Sequence, residues 1–426
     1  MTKAIEIQPA RGPVCGEIKP PGSKSITNRA LICAALAQGN SILHGALESE
    51  DTQVMIEGLR RLGIAVETAV GGETIRVAGC QGVVPANHAE LFVGNSGTTI
   101  RFLTALATLG RGEYRLAGIE RMHQRPIGDL ADALSELGGK IACESPGRCP
   151  PVRVMADGLP GGKATVRGDI SSQYLSGLMM AAPYAENPVT LTVSGTLVSI
   201  PYVAMTQRVM EAFGVVLETC ADYSVIRVPN ASGYRGCDYE IEPDASAASY
   251  FWAAAAVTGG KVKVRGLGKD SLQGDVGFLD CLIRMGCEVQ YADDGTTLVG
   301  KPLVGIDVDM NGISDTVQTL AVVALFAKGI TRIRNVGHIR HKETDRISAV
   351  ATELRKLGAS VVESPEGLEI TPGSFTAAEI DTYNDHRMAM SFAVAGLAKS
   401  GIVIRNPGCT AKTYPSFFEA LGTLVR

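Results

Sequence analysis

Six runs of mostly apolar, helix-forming residues each begin with polar or charged side chains, and those front ends carry the residue types that could do chemistry. They hold Lys24, Ser25 and Arg29; Asn95, Ser96, Thr98 and Arg101; Ser171, Ser172 and Gln173; Asp244 and Ser246; Asp315; and Asp385, His386 and Arg387. A helix N-terminus presents unpaired N–H groups and a partial positive charge, worth about 0.3 to 1 kcal/mol to a nearby anion. Several such ends aimed at one place would form an anion site. For Ser, Asn and Asp at any single tip, plain N-capping is the simpler reading. Capping does not account for Lys24, Arg29, Arg101 and Arg387. A cation beside a positive helix end is locally unfavourable, and a shared anion would offset that repulsion.

A second set of loops adds to this chemistry. MHQRPIG carries Arg125, VSIPY carries Ser199 and Tyr202, HIRHKETDRI carries Lys342, Glu343 and Arg346, and CTAKTYP carries Lys412. Lys342 and Arg346 stand four apart, one face of a helical turn, which reads equally as a salt-bridged helix start. Two cations beside one carboxylate can also grip an anion while Glu343 handles a proton.

These tips have to be positioned by a repeat. A helix ending in a large apolar residue and glycine recurs as RRLG, SELG, EAFG, IRMG, RKLG and EALG, with glycines at 63, 138, 214, 286, 358 and 422. Glycine suits a helix end that needs a left-handed residue. After the first five comes a strand pair, such as IAVETAVGGETIRVAG or ASVVESPEGLEITPG. Upstream of each lies a helix apolar nearly all round, which should be buried, and a short strand such as KVKVRG or IVIRN separates the two helices. The sixth unit lacks its strands. The spare segments AIEIQ and VCGEIK near the start are therefore expected to close it, making the second domain discontinuous: residues 1–20 plus 241–426, with 21–240 as the first domain.

Composition narrows the functional class. A chain of 426 residues exceeds one usual core, so two domains of about 200 residues are expected. With 45% hydrophobic but only 5% aromatic residues, the cores are aliphatic. A net charge of −4 argues against a nucleic-acid partner. Ten scattered cysteines without CxxC pairs, and a first segment lacking a signal-peptide core, fit a cytoplasmic protein. No uncharged apolar run approaches the roughly 18 residues of a membrane span. PPGSKS lacks the GxxxxGK[ST] spacing and no GxGxxG follows a strand, so no nucleotide cofactor is expected. His338 and His386 lack a second ligand at metal spacing, so no metal is expected either.

Taken together, KPPGSKSITNRAL, VGNSGTTIRFL, QRPIGDL, GDISSQYLSGL, RHKETDRI, YNDHRMAM and CTAKTYPSFFEAL resemble the signatures of the 5-enolpyruvylshikimate-3-phosphate (EPSP) synthase family, in order along the whole chain. The resemblance implies an α/β (α+β) fold: a two-domain inside-out α/β barrel of six βαβαββ repeats, three per domain, with buried helices. It implies transfer of the enolpyruvyl group of phosphoenolpyruvate to the 5-hydroxyl of shikimate 3-phosphate, by a monomer without cofactor. Lys24, Gly97, Arg125, Gln173, Arg346, Arg387 and Lys412 would contact phosphoenolpyruvate. Lys24, Ser25, Arg29, Ser171, Ser172, Gln173, Ser199, Tyr202, Asp315, His338 and Lys342 would hold shikimate 3-phosphate; at His338 the family pattern has Asn. Glu343 and Asp315 would act as proton donor and acceptor, with Lys24 in the catalytic group and His386 as an alternative proton carrier. Gly97 falls where the family site is tightest, so inhibition by glyphosate is expected. The sister transferase acting on UDP-N-acetylglucosamine would carry a Cys in the loop that here reads GIERMHQRPIG. A non-catalytic anion-binding scaffold would have no need of Glu343 and Asp315.

Overall fold

The computed structural model describes residues 3–69, 71–230 and 233–425; of the first hairpin, Val70 lies outside the described residues. The six apolar runs are helices: Lys24–Leu36, Gly97–Ala107, Ser172–Ala181, Ala245–Thr258, Val317–Val323 and His386–Ala398. Almost every residue in them is buried, as a helix without a polar face requires. None is long and apolar enough to cross a membrane. Five start at a capping side chain: Ser23, Ser96, Ser171, Asp244 and Asp385 each accept a backbone N–H of the first turn. The capping reading therefore holds for Ser96, Ser171, Asp244 and Asp385, while at the first tip the cap is Ser23 and not Ser25. The helix Val317–Val323 is entered instead through the 3-10 turn Asn311–Thr316, which puts Thr316 and not Asp315 at its N-cap position.

The chain divides into two compact units, Gly22–Ile241 and Met1–Pro21 with Glu242–Arg426. In each, three buried helices pack on one another, and sheets of three or four strands cover them. All six sheets among the described residues are open, with two free edges each. In four of them a strand, a buried helix and a second strand make a parallel crossover; His88–Phe92 and Arg111–Ala117 flank Gly97–Ala107 in this way. The repeat glycines Gly63, Gly138, Gly214, Gly286 and Gly358 all have φ between +84° and +113°, the left-handed conformation that turns each helix into its hairpin. Gly422 differs. It lies inside the helix Phe417–Thr423 and not at its end.

The N-terminal segment does not close the last unit as one piece. Ala4–Ile7 does pair antiparallel with Ile402–Arg405 in the last sheet. Cys15–Ile18, however, pairs in parallel with Lys261–Arg265, completing the sheet around Ala245–Thr258. Its counterpart Asp238–Glu240 pairs in parallel with Asn40–His44, around Lys24–Leu36. Each time the chain passes from one unit to the other, at 21–22 and 241–242, it leaves its last strand behind. The two units thereby exchange the strand that precedes the helix. A crossover needs a parallel neighbour and not a particular source for it. At the first passage, Gly22 is required by close approach: a Cβ there would run into the carbonyl of Gly45.

The three helices of the discontinuous unit meet at small polar side chains. Ser249, Thr319 and Ser391 form a buried hydroxyl chain, with steps of 3.2 Å between neighbours. Small side chains let the helix backbones approach, and the chain satisfies the hydroxyls without water. At the far end of one helix, Gly396 lies against Ile7 of the N-terminal strand, leaving no room for a Cβ. Gly396→Ala should therefore lower stability by roughly 1–3 kcal/mol through overpacking. Thermal and urea unfolding would measure it, and adding Ile7→Ala should return part of the loss.

Candidate functional site

In the unit Gly22–Ile241 the charged tips become buried guanidinium groups resting on neutral acceptors. Arg29, 1% exposed, donates Nε to Thr206 Oγ1 at 2.7 Å, Nη1 to the Ser25 carbonyl at 2.9 Å, and Nη2 to Tyr202 O and Ser176 Oγ at 3.2 and 3.3 Å. Its guanidinium also lies 5.3 Å from the Phe102 ring centre and 6.0 Å from that of Tyr202. Burial lowers its pKa to about 10, which leaves it charged at neutral pH. Arg101 donates to Gln173 Oε1 at 2.8 Å, Pro126 O at 3.0 Å and Gly97 O at 3.1 Å. Among the described residues neither Arg29 nor Arg101 touches a carboxylate.

Around Arg101 the neighbouring tips are knitted together. Gln173 donates Nε2 to Thr98 Oγ1 at 3.2 Å, and Arg125 donates to Asn95 O and Oδ1 at 2.8 and 3.2 Å. Gly97 lies beneath both arginines, and a Cβ there would meet the guanidinium atoms of Arg125 and Arg101. Lys24 and Ser172 occupy first-turn positions with little exposure, while Ser171 spends its side chain capping Gln173 N. Ser199 is buried in the left-handed region, φ +56°, just before the helix Ile200–Ala212 that carries Tyr202 and Thr206.

In the other unit the cations meet acids. Arg346, 1% exposed, opens the helix Arg346–Lys356 and binds three carboxylates. It donates to Asp385 Oδ2 at 2.8 Å and Oδ1 at 3.3 Å, to Glu343 Oε2 at 2.9 Å, and to Asp315 Oδ1 at 3.2 Å. Asp315 also receives Lys342 Nζ at 2.5 Å and Arg387 Nη2 at 2.6 Å. Lys412 Nζ lies 3.7 Å from Glu343 Oε1. The structure thus brings Asp315, Lys342, Glu343, Arg346, Arg387 and Lys412 into one cluster of four cations and, with Asp385, three carboxylates. Burial works against the charge of Arg346, yet Asp385, Glu343 and Asp315 outweigh it and raise its pKa. For Lys342 burial prevails over Asp315, and its pKa falls below the usual ammonium range.

Strained loops aim these side chains. Tyr383 and Asn384, with φ +53° and +54°, lead into Asp385, and Asn406, φ +45°, leads into the turn Pro407–Lys412. Glu353, on the same helix as Arg346, holds the first loop by accepting Tyr383 Oη–H at 2.7 Å and the Asp381 N–H at 3.1 Å. His386 is fully buried with Nδ1 3.5 Å from Asp385 Oδ1. His338 is buried beside Lys342; burial first, and then that ammonium, push its pKa down to about 3.

Sequence reasoning placed Asp385 at a tip but missed it as the main partner of Arg346. It also missed Ser176 and Thr206 beneath Arg29. The signal for Asp385 was its position at the front of a buried helix. Ser176 and Thr206 lie within helices and gave no local sign.

The fold places buried cations at helix tips, and in one unit it sets carboxylates beside them, a combination that fits an enzyme acting on anionic substrates. Residues 9–421 match the family model described as EPSP synthase (3-phosphoshikimate 1-carboxyvinyltransferase). The 3-phosphoshikimate 1-carboxyvinyltransferase of Nostoc punctiforme is 51% identical over 415 residues, 97% of either chain. The chloroplastic one of Arabidopsis thaliana is 46% identical over 441 residues, covering 99% of this chain and 84% of that one. The solved structure of EPSP synthase from Acinetobacter baumannii matches with a TM-score of 0.82 at 26% identity, covering 99% of this chain and 98% of that one. The chain belongs to the EPSP synthase family.

The depressed pKa of His338 has a measurable consequence. The folded protein keeps the imidazole neutral down to about pH 3, whereas the unfolded chain binds a proton below 6.5. Stability present above pH 6.5 is therefore lost progressively as pH falls towards 3. His338→Asn should lose less stability than the parent over that window in urea titrations at successive pH values, with the two curves parallel above pH 7.

Proposed function

We infer that this chain transfers the enolpyruvyl group of phosphoenolpyruvate to the 5-hydroxyl of shikimate 3-phosphate, releasing phosphate and giving 5-enolpyruvylshikimate 3-phosphate. The observation that carries the residue assignments is Arg346 joining Asp315 and Glu343, with Arg387 and Lys412 on the outer oxygens of those same carboxylates and Lys342 sharing Asp315 Oδ1 with Arg346. Two substrates bearing two phosphates and two carboxylates need many cations, and addition of a hydroxyl across an enol phosphate needs two proton transfers. This cluster contains both sets of groups.

Phosphoenolpyruvate is assigned to Lys24, Gly97, Arg125, Gln173, Arg346, Arg387 and Lys412, and shikimate 3-phosphate to Lys24, Ser25, Arg29, Ser171, Ser172, Gln173, Ser199, Tyr202, Asp315, His338 and Lys342. The neutral acceptors around Arg29 support this reading, since a buried cation without a carboxylate gains most from an incoming anion. At His338 the imidazole is neutral at physiological pH and serves as a hydrogen-bonding group, the role an amide would fill.

In the forward reaction Glu343 delivers a proton to the methylene carbon of phosphoenolpyruvate while Asp315 takes the proton of the attacking hydroxyl. The C–O bond formed gives a tetrahedral intermediate. In the second step the ionised Glu343 takes a proton back from the new methyl group, the double bond re-forms, and the C–O bond to phosphate breaks, the phosphate leaving with the proton that Asp315 holds. Arg346 and Lys412 favour ionised Glu343, so bound anions have to counter them before the carboxyl can donate. A monomer is part of the same proposal. The ten free thiols support a reducing compartment, the cytoplasm.

Phosphate release from phosphoenolpyruvate should require shikimate 3-phosphate and not UDP-N-acetylglucosamine. Under the same conditions Glu343→Gln should lower kcat by about 10²- to 10⁴-fold. Near-normal turnover of that variant would remove Glu343 from the mechanism. In Gly97→Ala the added methyl has to displace the Arg125 and Arg101 guanidinium groups, so KM for phosphoenolpyruvate and the inhibition constant of glyphosate should both rise, by about tenfold for an overpacking cost of this kind. Unchanged inhibition would dissociate Gly97 from the phosphoenolpyruvate site.

A further inference from the structure

Arg387 is the end of a polar chain that begins at a residue with no assigned role. Asp275 is 3% exposed and lies in the 3-10 turn Gly274–Gly277. Its Oδ2 accepts the hydroxyl of Ser246, in the first turn of the helix Ala245–Thr258. Ser246 Oγ in turn accepts Arg387 Nη2 at 3.4 Å, the nitrogen that lies 2.6 Å from Asp315 Oδ2, while Arg387 Nη1 reaches the Tyr250 hydroxyl at 3.4 Å. A guanidinium can only donate and an ionised carboxylate can only accept. Ser246 has one proton, so with that proton committed to Asp275 its lone pairs face Arg387.

The turn bearing Asp275 is fixed to the same helix by neighbouring bonds. Gln273 accepts Ala245 N–H at 3.0 Å and donates to Pro243 O at 2.7 Å and Glu242 Oε2 at 3.0 Å. Glu242 also accepts Ser271 Oγ–H at 2.6 Å and Leu272 N–H at 3.0 Å. On its other side the turn packs against the segment carrying Asp315, through Gly277 and Ile313. Asp275 is therefore held in place relative to both groups that Arg387 contacts.

We propose that Asp275 is a positioning residue for phosphoenolpyruvate binding: it orients the Ser246 hydroxyl so that its lone pairs hold the Arg387 guanidinium in register with Asp315. The proposal rests on the assignment of Arg387 to phosphoenolpyruvate. The short ion pair with Asp315 supplies the attraction, and the two longer contacts to Ser246 and Tyr250 set the plane of the group. A residue that merely stabilised the positive end of the helix Ala245–Thr258 would affect unfolding without separating the two substrates.

The test is steady-state kinetics of the full-length enzyme for Asp275→Asn, Ser246→Ala, the double variant and Arg387→Ala, with thermal unfolding alongside. Asp275→Asn removes the carboxylate charge, and the new amide can turn a donor towards Ser246, so the hydroxyl proton loses its fixed direction. KM for phosphoenolpyruvate should rise about tenfold and KM for shikimate 3-phosphate change less than about twofold. The double variant should be no worse than Ser246→Ala alone, because both changes act on one contact. Equal effects on both substrates, or additive effects of the two substitutions, would overturn the proposal. If Asp275→Asn does not fold, Ser246→Ala reads the same link from its other end and must show the same split. A normal KM for phosphoenolpyruvate in Arg387→Ala would overturn the assignment of Arg387 and the proposal with it. A raised value there with no change in Asp275→Asn and Ser246→Ala would overturn the proposal alone.

Discussion

A guanidinium buried to 1% exposure among three carboxylates is the feature around which the discontinuous unit is organised. Arg346 cannot leave its charge in water, and removing one partner from a buried ion pair typically costs about 3–5 kcal/mol. Each carboxylate it binds is shared. Asp385 also caps the helix carrying Arg387, Asp315 also receives Lys342 and Arg387, and Glu343 faces Lys412. One interior charge therefore sets the orientation of every other charged group in the cluster. Groups oriented before the reaction need no reorganisation during it, which is where electrostatic catalysis gains most.

The unit Gly22–Ile241 solves the same problem differently. Arg29 and Arg101 are also buried, but their hydrogen bonds end on hydroxyls, carbonyls and an amide. Those dipoles accept N–H groups of both guanidiniums without cancelling the charge. In the proposed reaction shikimate 3-phosphate supplies what is missing at Arg29, and the cost of burying that cation becomes binding energy. In the same proposal the other cluster carries its own acids because it has protons to move.

Repetition explains why both clusters sit at helix tips. A buried helix has no polar side on which to display a charge, so its ends are the only places where Lys, Arg and Asp can stand. Six such helices supply six ends, and the strand exchange between the units shows how little the repeat depends on chain order. A parallel edge position in each exchanged sheet is filled by Cys15–Ile18 or Asp238–Glu240, whichever strand the passage leaves there.

Helices, their burial, the hairpin glycines and the charged tips were all legible in the amino-acid order, because periodicity and composition are local properties that a short window contains. The same windows showed that Ser, Asn and Asp at those tips had a local role open to them, and five helices use such a cap. Which groups meet was settled only on folding. Arg346 chooses Asp385 across 39 residues, Arg29 rests on Ser176 and Thr206 more than a hundred residues away, and the segment at 15–18 joins a sheet other than the last. Partner choice is a through-space matter, set by how three helices pack, and residues far apart in the chain carry no mark of it. Asp315 illustrates the boundary: its type and place were legible, but whether it capped a helix or collected three cations depended on a 3-10 turn that the folded unit imposes.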